Sequence, residues 1–119
     1  MTPQQIAGQI VAVLDEKKAE DISVLRVHDL TVITDYFIVA SGTNSTHVKS
    51  LADEVEFKLK QQGVAPAFIE GYGSAQWIAL DYGSVIVHVF YPEARKFYEL
   101  ERLWADGEKI DTQTLLARD

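Results

Sequence analysis

The groups in this sequence that could do chemistry are three histidines, eighteen acidic residues and a strand-to-helix junction written SGTN. Each kind of chemistry needs company. A zinc site needs ligands at short, regular spacing, but His28, His47 and His88 stand far apart and the chain has no cysteine. Nucleophilic catalysis needs an activated serine or thiol; no serine sits in a nucleophile-elbow pattern. "SGT" (41–43) is more interesting, because amides where a strand meets a helix can cradle phosphate. Nucleotidyl transfer would then need two or more carboxylates to hold divalent ions. The natural source is a neighbouring strand with alternating acids, yet "SVIVHVF" (84–90) offers His88 there. Asp35, Glu70 and Asp81 each fall at a different strand or turn end, where acids commonly cap turns. "GYGSAQ" (71–76) starts like a dinucleotide fingerprint, but its third glycine is missing and a strand follows where a helix is required. "NST" (44–46) matches a glycosylation acceptor and reads more simply as a helix cap. No catalytic residue, metal site or cofactor is expected.

The elements that position these groups follow from periodicity. Thr2-Pro3-Gln4-Gln5 has the form of a capping box with proline at the first helical position. Ile6, Ile10, Val13 and Leu14 then share one helical face, and the helix should end near Lys17-Lys18. Strands are predicted at 22–27 and 35–42, the second an almost continuous apolar run typical of a sheet interior. A helix over 43–63 starts at Asn44 or Ser45, closes at Gly63 and buries Val48, Leu51, Ala52, Val55 and Leu59. A short strand near 67–70 precedes a hairpin of 76–81 with 84–90. Pro92 opens a last helix, 93 to about 104, with Phe97, Leu100, Leu103 and Trp104 on its core face. The order α-β-β-α-β-β-β-α defines one α/β domain over residues 1–106, a mixed β-sheet flanked by α-helices. From about Gly107 periodicity is lost, and residues 107–119 read as a tail that is mobile or folded only loosely.

The hairpin admits two registers. A loop of Tyr82-Gly83 pairs Asp81 with Ser84 and sets Trp77 opposite His88 and Ala79 opposite Ile86. A three-residue loop with Gly83 left-handed pairs Trp77 with Val87 and His88 with Gln76. The first is preferred because it segregates the faces. Ile78, Leu80, Val85, Val87 and Val89 then form a core face. Trp77, Asp81, His88 and Phe90 form a mixed face with a large indole, as binding patches often do. His88 alone could equally be a hydrogen-bonded strand histidine beneath a helix. Glu101 falls at the edge of the last helix's aromatic stripe.

The chain has 119 residues and a net charge of −7, with 47% hydrophobic residues. That supports one core and excludes wholesale disorder. An acidic chain without a basic patch is a poor direct reader of nucleic acid, but it is drawn to basic proteins. No apolar run reaches membrane-span length and the N-terminus is not signal-like, so a cytoplasmic protein is expected.

"DYFIVASGTNSTHVKSLADEV" (35–55) followed by "WIALDYGSVIVHVFYPEARKFYELERLW" (77–104) closely resembles the ribosomal silencing factor, or Iojap, family. The resemblance implies a nucleotidyltransferase-like fold that lacks catalytic carboxylates, and no enzymatic activity. It also implies binding to the large ribosomal subunit through ribosomal protein L fourteen. Small-subunit joining would thereby be obstructed, silencing translation when nutrients are short. The motif positions it implies for partner contact are Trp77, Leu80, Asp81, Tyr82, His88, Glu93, Tyr98 and Glu101. The sequence departs from the family pattern at Ser84, where many members have Asp, and at Thr46, where Arg often precedes the motif histidine. A role in large-subunit assembly, a residual metal-dependent nucleotidyltransferase and a homodimer of the free chain remain open alternatives at this point.

Overall fold

The computed structural model describes residues 1–27, 34–99 and 108–116. Helix α1 (Pro3–Glu16) begins with the capping box: Thr2 Oγ1 accepts from Gln5 N–H at 3.1 Å, and Thr2 N–H donates to Gln5 Oε1 at 2.8 Å. Strands β1 (Glu20–Arg26) and β2 (Tyr36–Ser41) follow, then α2 (Ser45–Gln61). Asn44 Oδ1 caps α2 by accepting from His47 N–H at 2.8 Å. Gly63, at φ +80°, closes it with Gly63 N–H to Lys60 O and Val64 N–H to Leu59 O, the paired bonds of a Schellman end. β3 (Phe68–Glu70), β4 (Trp77–Asp81) and β5 (Val85–Phe90) lead into α3 (Pro92–Tyr98); β6 (Glu108–Ile110) and α4 (Thr112–Leu116) complete the described chain.

Six strands form one sheet in the order β3-β4-β5-β2-β1-β6. β2 and β5 pair in parallel at its centre, and the other neighbours are antiparallel. A parallel pair is normally covered on both faces, which is why "YFIVAS" and "VIVHVF" are nearly continuous apolar runs. On one face α1 and α2 bury Ile38, Ala40, Ile78, Leu80, Val85, Val87 and Val89. On the other, Leu25, Phe37, Val39, His88 and Phe90 are buried as well.

Three expectations need correction. The hairpin takes neither register: Trp77 pairs with Phe90, Ala79 with His88 and Asp81 with Ile86. Tyr82 and Val85 continue the pairing (Tyr82 N–H to Val85 O, 2.8 Å), and Ser84 N–H donates to Tyr82 O at 3.1 Å, so the turn centres on Gly83 at φ +84°. The slip from the preferred register is two residues, an even number, so every side chain keeps its face. Helix α3, expected to run to about 104, stops at Tyr98, because Glu99 turns left-handed (φ 46°, ψ 47°) and its N–H donates to Arg95 O. Phe97 is therefore 80% exposed, not core; Leu100, Leu103 and Trp104 lie outside the described residues. Finally, the stretch read as a mobile or loosely folded tail is anchored over residues 108–116. β6 pairs with β1 through Val24–Ile110, Leu25–Lys109 and Arg26–Glu108, and Leu115 is buried against α1. The Arg26–Glu108 ion pair (3.6 Å) is exposed and adds little; ladder bonds and the buried leucine hold the segment.

Gly71 sits at φ +79°, and a Cβ there would lie 1.9 Å from Trp77 O. Gly63 has the same sign of φ with open space around it. Gly71→Ala should therefore destabilise the domain by about 3 kcal/mol or more, against about 1–2 kcal/mol for Gly63→Ala, as measured by urea unfolding.

Candidate protein-binding face

The face of the sheet away from α1 and α2 carries an aromatic cluster at the β4–β5 end. Trp77 stacks on Phe90 with ring centroids 5.0 Å apart. Tyr98, the last residue of α3, tilts against the same indole at 4.8 Å. Phe97 meets Tyr98 edge-on at 5.1 Å. Further in, the His88 ring lies 5.7 Å from Trp77 and 5.4 Å from Phe37. Arg95 Nη1 donates to Ser41 Oγ at 3.0 Å, and Tyr91 N–H to Gln76 O at 3.0 Å; these bonds fix α3 beside the ends of β2 and β4. The inner rings are buried, but Trp77 is half-buried and Tyr98 is 50% exposed. Phe68 on the β3 edge pairs with Asp81 and so shares this face, 63% exposed.

His88 is 7% exposed. Its Nδ1 accepts the indole N–H of Trp77 at 2.9 Å. A neutral imidazole that accepts at Nδ1 carries its proton on Nε2, and that buried Nε2–H has no hydrogen-bond partner among the described residues. Burial lowers the pKa to about 4, with the Asp81 carboxylate pulling weakly the other way. The ring is neutral at pH 7.

The eight residues singled out by sequence do not form one patch. Trp77, His88 and Tyr98 are brought together. Asp81 is on the same face, half-buried, with Oδ1 holding the turn through Gly83 N–H at 2.8 Å. Glu93 is exposed in the first turn of α3. Leu80 is 0% exposed in the helix-covered core and cannot meet a partner in this fold. Tyr82 packs against that same core with its hydroxyl buried, and desolvation, then Glu56, pushes its pKa upward. Glu101 lies outside the described residues. The list passes over Phe90 and Phe37. Strand alternation from His88 puts Phe90 on this face, whereas a continuous apolar run gives Phe37 no face signal.

The phosphate-cradle idea can be tested at the SGT junction. Gly42 N–H donates to Phe90 O at 3.0 Å, Thr43 N–H to His47 Nδ1 at 2.9 Å, and His47 N–H to the Asn44 cap. Those amides are spent within the fold. His47 Nε2 in turn reaches Lys17 O at 2.9 Å, which ties the end of α1 to the start of α2. Among the described residues no three His, Asp or Glu side chains converge as a metal site requires.

An α/β domain whose outer sheet face carries a half-exposed aromatic pair has the form of a binding module. The family model described as "Ribosomal silencing factor during starvation" matches residues 1–119. The ribosomal silencing factor RsfS of Halalkalibacterium halodurans is 32% identical over 117 residues, covering 98% of this chain and all of that protein. The crystal structure of a Chromobacterium violaceum protein superposes with a TM-score of 0.86 at 38% identity, covering 93% and 92% of the two chains. The mouse protein "Mitochondrial assembly of ribosomal large subunit protein 1" is 35% identical over 98 residues, 80% of this chain and 43% of its own length. The chain belongs to the ribosomal silencing factor family. That family is non-enzymatic, and its silencing function implies binding to the large ribosomal subunit.

The neutral His88 predicts a pH dependence. Its ordinary pKa of 6.5 applies to the unfolded chain and about 4 to the folded one. As pH falls from 6.5 to 4 the unfolded chain takes up a proton that the folded chain refuses. The stability linked to His88 is thus intact above pH 6.5, is lost progressively down to about pH 4, and is constant below. The gap corresponds to roughly 3 kcal/mol. Urea unfolding of the wild type and His88→Asn at pH 7 and pH 4 should show the wild type losing roughly that much more; equal losses would mean a solvated ring.

Proposed function

We propose that the aromatic face centred on Trp77 and Tyr98 docks on a basic protein of the large ribosomal subunit, ribosomal protein L fourteen being the partner the sequence resemblance implies. The bound domain then stands in the path of the small subunit and obstructs joining. The observation that carries this reading is the half-exposed Trp77–Tyr98 pair, continued by Phe97, with exposed Phe68 further along the same face beside Asp81. Buried aromatic anchors supply most of the energy at protein interfaces. Glu70 and Asp81 share the face and Glu93 stands on α3, on a chain of net charge −7; such acids act mainly by speeding encounter with a basic surface. An interface of roughly 1,600 Å² in total is enough for a stable steric block, without cofactor or turnover.

In sedimentation of purified subunits, added protein should lower the joined particle. Tyr98→Ala should weaken large-subunit binding by about 2 kcal/mol or more with little change in folding, since Tyr98 is half exposed. Phe57→Ala, 54% exposed on α2, should bind as the wild type. Undiminished joining at saturating protein would overturn the proposal.

A second reading has one observation in its favour, the name of the mouse relative, which assigns that protein to large-subunit assembly. Under it, this chain would associate with precursor particles in preference to mature subunits.

A further inference from the structure

Within the proposed docking face, which this inference takes as its basis, the centre is organised by a ring that makes little surface of its own. We propose that His88 is a positioning residue: by accepting the Trp77 indole N–H at Nδ1, it holds that indole in the single orientation that docks.

Trp77 is half-buried on β4, between the edge strand β3 and β5. Its six-membered and five-membered rings could be presented to a partner in several rotamers. Three contacts narrow that choice. Phe90 stacks beneath the indole, Tyr98 closes one side, and His88 takes the N–H at 2.9 Å. The first two are compatible with a flipped ring, since an apolar surface does not distinguish the two edges of an indole. The hydrogen bond does distinguish them, because the only donor is on one edge. His88 itself is fixed between Val39 and Ala79 in the centre of the sheet and tilts against Phe37, so the acceptor is rigid.

Two consequences follow for recognition. The indole N–H is consumed inside the domain, so Trp77 meets its partner as an apolar plate and not as a hydrogen-bond donor. The partner surface opposite Trp77 is then apolar or aromatic, even where the protein that carries it is basic. The second consequence concerns Nε2–H, which burial leaves without a partner among the described residues. A site shaped for packing alone would favour a hydrocarbon side chain here, because a buried unpaired donor is costly. Removing the imidazole exchanges that unpaired donor for an indole N–H that has lost its acceptor and must turn to water, so folding should change little while docking is harmed. A purely structural histidine would behave in the opposite way.

The test uses the full chain. Long-range proton–nitrogen spectra at pH 7 should show His88 as the Nε2–H tautomer and the Trp77 indole N–H protected from exchange. In His88→Leu the indole N–H should lose its protection, thermal stability should change little, and affinity for purified large subunits should fall about tenfold, the value of one ordinary hydrogen bond. His88→Asn, whose amide oxygen falls where Nδ1 was, should restore both the protection and the binding. If His88→Leu does not fold, Asn and Gln decide: Gln carries its oxygen one bond further out, so binding should hold with Asn and drop with Gln. Equal binding by Asn and Gln overturns the inference, as does wild-type affinity in His88→Leu or an unprotected indole N–H in the unaltered chain. In each of those cases the unaltered chain still binds subunits and the docking face stands. Failure of the unaltered chain to bind large subunits overturns the docking face and this inference together.

Discussion

The constraint on which the rest of the structure depends is the burial of β5 on both of its faces. It pairs in parallel with β2 and antiparallel with β4, and five of its six residues are buried. An ionised side chain in such a strand would cost several kcal/mol in desolvation. The one polar residue there, His88, is accordingly neutral and has its Nδ1 satisfied by Trp77. The inward residues Val85, Val87 and Val89 pack under the helices, while Ile86, His88 and Phe90 support the outer aromatic layer. One strand thus couples the hydrophobic core to the outer aromatic surface.

What could be read from the sequence was what is local or strictly periodic. The caps of α1 and α2 depend on residues three apart, and Thr2, Gln5 and Asn44 make the bonds their spacing promises. The two faces of the hairpin were legible because strand alternation survives an even slip. The register itself was not, because it turns on whether Tyr82-Gly83 or Gly83-Ser84 closes the loop, and the local residues suit more than one geometry. Phe37 gave no sign of its face inside "YFIVAS". β6 is too short for any period, and only its ladder to β1 reveals it. Leu80 and Tyr82 show a different limit: a motif position can matter for a family through packing, as both do here against the helix-covered core.

Family membership and geometry bear on separate questions. Membership, over residues 1–119, establishes ribosome silencing as the function. The geometry bears on which surface performs it. The helix side offers Lys17, Lys49, Asp53, Glu54 and Phe57, a largely charged surface in which Lys17 and Glu54 already pair at 3.2 Å and Tyr72 donates to Asp53 at 3.1 Å. The sheet side offers the Trp77–Tyr98–Phe97 aromatic surface, with Glu70 and Asp81 further along the same face. Exposed aromatic area is costly to leave in water and valuable to cover, which favours the sheet side.

Hydrogen–deuterium exchange of the chain, free and bound to purified large ribosomal subunits, tests that assignment most directly. Binding should slow exchange across β4, β5 and α3, residues 77–98, and leave α2 between Lys49 and Phe57 unchanged. Protection of the α2 surface with no change at β4, β5 and α3 would contradict the account.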